Sequence, residues 1–104
     1  LWDMEQTQFL QESAYLAASI QRSIVTNAHA LLTQKNEGDW KNRGVRQAPF
    51  FVLNRAAMPA VLVELGYLSN RRDRKLLTEK TFQERLAKAL AEGVLQYKRE
   101  CKTF

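Results

Sequence analysis

Cysteine and histidine are nearly absent: Cys101 and His29 are the only ones among 104 residues. A single cysteine excludes an internal disulfide and a thiolate-rich metal cage. A single histidine excludes any self-contained site needing two imidazoles, such as a paired-histidine metalloprotease helix. Two prolines and four glycines are too few for a linker-rich or disordered composition. Long apolar runs are missing too. No stretch approaches the ~18 uncharged apolar residues of a membrane span, and no basic, apolar, small-residue pattern of a signal peptide opens the chain. The chain begins with Leu1 rather than Met, which suggests a processed or truncated product.

What is present describes one globular unit. Apolar residues make up 45% of the chain and aromatics 10%. A chain of this size buries roughly two-thirds of its unfolded surface, enough for a single core. Lys and Arg number 16 against 11 Asp and Glu, a modest net charge of +5.

From Met4 to about Val25, Phe9, Leu16, Ile20 and Ile24, with Leu10 and Ala17 beside them, recur at three- and four-residue steps. No Gly or Pro intervenes, so the spacing predicts an amphipathic helix, with a short second helix over Asn27 to Lys35. Lys35 to Gly44 breaks all periodicity and reads as an exposed loop. After Pro49, Phe50-Phe-Val-Leu53 favours a strand. Pro59 then opens Ala60-Val-Leu-Val-Glu-Leu65, closed by Gly66, a near-continuous apolar run suited to a strand buried on both faces. Burial of this kind would make truncation of Leu62 or Val63 to Ala cost about 2 to 4 kcal/mol. Ser69 and Asn70 can cap a helix over Arg71 to Leu77, with Asp73 in its first turn. Thr81-Phe-Gln-Glu84 has the form of a capping box, leading a helix that carries Phe82, Leu86, Leu90, Val94 and Tyr97 on one stripe, with Ala89 and Gly93 leaving room for close packing, and ends near Arg99. The pattern predicts an α/β fold, a mixed, largely parallel sheet flanked by helices on both faces. Two short strands leave that sheet incomplete, so the chain is expected to be the later part of a larger domain or to pair with another chain.

Glu64 is the one ionisable residue in the 60–65 run. A carboxylate in an apolar strand loses hydration unless a cation, metal or donor compensates it. Its place near the C-terminal end of the run is where α/β enzymes gather reacting groups. On the residues alone, two readings stay open: a catalytic carboxylate, or a structural one whose head pairs with Arg55 or Arg46.

The run Gly44-Val-Arg-Gln-Ala-Pro-Phe-Phe-Val-Leu-Asn-Arg-Ala-Ala-Met-Pro-Ala-Val-Leu-Val-Glu-Leu-Gly-Tyr-Leu-Ser-Asn70 resembles the C-terminal half of zinc-dependent N-acetylmuramoyl-L-alanine amidases, bacterial cell-wall hydrolases. The resemblance extends to Asp3, Gln6, Thr7 and Ser13 before it and to the Phe82 to Tyr97 helix after it, covering essentially the whole chain. It implies that residues 1–104 are the C-terminal part of one amidase catalytic domain. It also implies a zinc ion held by two His and a Glu from the preceding half, with no metal ligand in this segment. The family's last motif, Met58 to Asn70, carries its catalytic glutamate, which falls on Glu64. Relatives often have Arg or Lys where this chain has Asn54, so a substrate contact falls on Asn54 or shifts to Arg55. The implied reaction is hydrolysis of the amide joining the lactyl group of N-acetylmuramic acid to L-alanine of the stem peptide. The implied partners are peptidoglycan and the preceding half of the domain, with an activator protein as a further candidate. The implied location is the periplasm, cell wall or extracellular space, and the isolated segment should be inactive.

His29 does not match the family's zinc-binding motifs and reads as an ordinary helix imidazole, and Cys101 in its basic tail as an incidental thiol. Two rival classes remain. The cluster Arg71, Arg72, Arg74 and Lys75, with Lys41, Arg43 and Arg46, would suit an anionic-surface or nucleic-acid binding module, but Asp73 interrupts it and no nucleic-acid motif is present. The other rival is an amidase-like interaction module without catalysis.

Overall fold

The structure, a computed structural model, describes residues 4–35, 44–46, 53 and 55–101. Three helices account for the regular structure among them: α1 over Met4–Lys35, α2 over Arg71–Leu77 and α3 over Lys80–Glu100.

α1 is one helix where periodicity predicts a break after Val25. Thr26 and Asn27 are weak helix formers but not breakers. The Asn27 side chain is absorbed locally, its Nδ2 donating to the Ser23 carbonyl at 2.8 Å. Ala28, Leu31 and Leu32 then extend the buried stripe begun by Ile20 and Ile24.

α3 buries Phe82, Leu86, Ala89, Gly93 and Tyr97. Leu90 is half-buried and Val94 is 45% exposed, so the stripe departs from the predicted one at its middle. The cause is geometric: unbroken four-residue steps drift off one face of a 3.6-residue helix, whereas the steps through Ala89 and Gly93 stay on it. The capping box at Thr81 does not form. Glu79 occupies the N-cap without a side-chain cap bond, because the link from α2 is so short that Thr81 already lies within the first turn. That link is held instead by the Glu79 amide donating to the Leu76 carbonyl at 3.1 Å and by Gln83 Nε2 donating to the Leu77 carbonyl at 2.7 Å.

α1 and α3 pack antiparallel along a seam of small residues. Ser19 Oγ donates to the Gly93 carbonyl and Ser23 Oγ to the Ala89 carbonyl, each at 2.7 Å. Ala89 and Gly93, one turn apart, present no bulk to α1, so the backbones approach closely. The core continues from this seam through Leu31, Leu32, Leu86 and Phe82 to Leu76 of α2.

The predicted α/β architecture is overturned, because no strand or sheet occurs among the described residues. Residues 60–66 are non-helical, and their burial alternates: Val61, Val63 and Leu65 are half-buried against the helical core, while Leu62, Glu64 and Gly66 are exposed. Period-two alternation is the mark of an extended chain with one face covered, not two. A strand needs a ladder partner, and none of the described residues supplies one. The first amide of the run bonds to a side chain of α1 instead. Phe50, Phe51 and Val52 of the other predicted strand lie outside the described residues. Leu53 belongs to a helical turn, and its carbonyl accepts from the Ala56 amide at 3.2 Å.

Candidate functional site

Residues 60–67 cross the helical core as a segment tied down near both ends. Pro59 has no amide hydrogen, so Ala60 is the first donor available to it. The Ala60 amide donates to Ser13 Oγ of α1 at 2.9 Å. At the other end Gly66 adopts φ +148°, a conformation that L residues rarely take. The turn there redirects the chain into α2, and its bonds close a ring. Tyr67 accepts at its carbonyl from the Asn70 amide, Asn70 Oδ1 accepts from the Asp73 amide, and Asp73 Oδ2 accepts from the Tyr67 amide, each at 3.0 Å. Arg74 Nη1 also donates to the Leu68 carbonyl at 3.0 Å. Asn70 is therefore the N-cap that sequence predicts for α2, and Asp73 does more than favour the helix dipole.

Glu64 lies between these two attachments, exposed on the side away from the helices. Among the described residues it makes no ion pair or hydrogen bond, so the structural pairing with Arg55 or Arg46 is not formed. Its carboxylate stays hydrated, because alternation turns it outward. An exposed carboxylate on a fixed segment can accept a proton from, and return it to, a molecule approaching that face. Arg55 is exposed in the turn before Pro59, and Asn54 lies outside the described residues. The structure thus places Arg55 and Glu64 on the same stretch of chain without a bond between them.

The remaining titratable groups gather elsewhere. His29 is exposed on α1. Among the described residues no group of three His, Cys, Asp or Glu side chains could hold a metal ion, so these residues do not fit a zinc site of their own. No described helix is long and apolar enough to cross a membrane. Arg71, Arg72, Arg74 and Lys75 are exposed on α2, while Asp73 is drawn onto the Tyr67 amide. At the far end of α3, the buried Tyr97 phenol is pushed above its ordinary value, first by burial and then by Cys101 and Glu12. Sequence reasoning missed Ser13 and Asp73 as anchors. The available signal was Pro59, which leaves Ala60 as the first amide needing an acceptor.

Comparison with known proteins agrees with the resemblance read from residues 44–70. The family model described as N-acetylmuramoyl-L-alanine amidase matches residues 2–96. The chain is 34% identical over 79 residues to the N-acetylmuramoyl-L-alanine amidase AmiA of Escherichia coli, which covers 76% of this chain and 27% of that protein. It is 38% identical over 96 residues to a probable cell wall amidase, LytH, of Staphylococcus saprophyticus, covering 92% of this chain and 28% of that protein. A cell wall amidase of Bacillus anthracis, described as uncharacterised, is 35% identical over 89 residues, or 86% of this chain and 15% of its own length. The chain thus spans little more than a quarter of the first two relatives, at 27% and 28%. No solved structure matches it. With the family model covering nearly the whole sequence, the chain belongs to the N-acetylmuramoyl-L-alanine amidase family.

Proposed function

We propose that this chain supplies the proton-transferring carboxylate of a peptidoglycan amidase, and that Glu64 is that group. The observation that carries the reading is the family match across residues 2–96, which includes a Glu64 held outward on a tethered segment. The reaction is hydrolysis of the amide between the lactyl group of N-acetylmuramic acid and L-alanine. As the oxygen of water bonds to the amide carbon, the Glu64 carboxylate takes a proton from that water. It then gives the proton to the alanine nitrogen as the carbon–nitrogen bond breaks, and the second proton of the water passes from the new carboxyl group to the amine, leaving a lactyl carboxylate and an ammonium group. Arg55, exposed one turn before Pro59, contacts the acidic substrate in this reading, together with Asn54.

Zinc is implied by the resemblance, and the described residues offer no ligand set for it. We place its ligands outside this chain, and the 104 residues alone should neither retain zinc nor cleave peptidoglycan. The names of the relatives support a site of action at the cell wall, in the periplasm or outside the cell.

The test is Glu64→Gln in the full-length protein that carries this chain. The variant keeps size and polarity but cannot accept the proton. Muropeptide hydrolysis should fall roughly 10²- to 10⁴-fold in kcat, while bound zinc is retained. Wild-type turnover by the variant would instead return Glu64 to a structural role.

A further inference from the structure

We infer that Ser13 and Asp73 are positioning residues for Glu64, holding the segment that carries it from both sides. The inference rests on Glu64 being the proton carrier proposed above. Ser13 Oγ accepts from the Ala60 amide at 2.9 Å across 47 positions of sequence, fixing the start of the segment to the longest helix of the molecule. Asp73 Oδ2 accepts from the Tyr67 amide at 3.0 Å, fixing its end to α2. Glu64 stands four residues from the first anchor and three from the second. Among the described residues the segment has no ladder of its own, and these two bonds, with the half-buried Val61, Val63 and Leu65, help to hold it against the helices.

The two anchors differ in strength and in reach. Ser13 offers a neutral acceptor from a helix whose position is set by the core. Asp73 offers an ionised acceptor, and a hydrogen bond to a charged group is shorter and stronger than one between neutral groups. Asp73 is itself held, because its amide donates to Asn70 Oδ1 and Asn70 donates back to the Tyr67 carbonyl. This ring makes residues 67–73 a rigid block, so an acceptor lost at position 73 frees the end of the Glu64 segment rather than one amide alone. A general base works only within hydrogen-bond reach of its proton, and a displacement of about 1 Å is enough to cost as much as 10²-fold in rate.

Kinetics in the full-length protein test this on Ser13→Ala, Asp73→Ala and Glu64→Gln, singly and combined. Ser13→Ala and Asp73→Ala should each lower kcat on muropeptide roughly ten- to a hundred-fold, with KM much less affected. Ser13→Thr and Asp73→Asn keep an acceptor and should recover most of the loss. In the Glu64→Gln background, Ser13→Ala and Asp73→Ala should have little further effect, because they act through a carboxylate already removed. Amide exchange at Ala60 should accelerate in Ser13→Ala, and at Tyr67 in Asp73→Ala. Losses that multiply fully with Glu64→Gln, unchanged amide exchange, or full turnover by both alanine variants would overturn the positioning role while leaving Glu64 as the base. Full turnover by Glu64→Gln would overturn the reading beneath it.

Discussion

Gly93 and Ile20 approach so closely that a Cβ added to Gly93 would lie 2.7 Å from Ile20 Cα and 3.2 Å from the Ile20 backbone nitrogen. Both are backbone atoms, so no side-chain rotation relieves the clash. Gly93→Ala must therefore push α1 from α3 and stretch the bonds from Ser19 and Ser23, each 2.7 Å long. Although Ala is the better helix former, overpacking should win, destabilising the chain by about 1 to 3 kcal/mol. Chemical denaturation checks this, and a midpoint equal to or above the parent's would show that the helices separate freely.

The helices were largely legible in the sequence because a 3.6-residue period and capping residues are local signals. Asn70 and Asp73 announced α2, and Phe82, Leu86 and Tyr97 announced α3. The 60–65 run was not, because apolar residues in succession look the same whether one face or two are buried. Its partner in space, Ser13, stands 47 residues earlier, and no local pattern marks that pairing. Glu64 was legible as the odd ionisable residue, but its outward position was not, since only the contacts of Val61, Val63 and Leu65 decide which face turns inward.

Adjacent positions in that run should respond differently to truncation. Val63 packs against the core, whereas Leu62 is 50% exposed. Val63→Ala should cost about 1 to 2 kcal/mol through lost contact, while Leu62→Ala should stay within about 0.5 kcal/mol. Denaturant midpoints of the two variants of the 104-residue chain decide between this and burial on both faces, which would cost about 2 to 4 kcal/mol at each position.

Tyr97 predicts an alkaline weakness. Burial, with Cys101 and Glu12 beside it, raises its pKa in the folded chain above the ordinary 10.0. The unfolded chain therefore releases this proton first as pH rises. The folded state binds more protons in that window, so its stability declines from about pH 10 until the folded phenol also ionises. Below that window the contribution is intact. Tyr97→Phe has no proton to lose, so the difference in stability between parent and variant should change in the variant's favour from pH 9 to pH 11. Parallel curves over that range would show that the phenol is not perturbed.

Gly66 joins the segment bearing Glu64 to the bonded turn before α2, and its φ of +148° makes any side chain there costly. Conformations of this kind are essentially limited to glycine, and forcing another residue into them costs about 1 to 3 kcal/mol. Gly66→Ala can relieve that strain only by rotating the backbone, which moves the Tyr67 amide away from Asp73 Oδ2, its acceptor at 3.0 Å. The core of α1 and α3 lies elsewhere and should keep its helical content. Circular dichroism of Gly66→Ala should therefore match the parent below its melting transition, while amide exchange at Tyr67 accelerates. Protection of that amide at the parent's level would mean the turn tolerates a Cβ, and the ring through Asn70 and Asp73 would no longer depend on glycine.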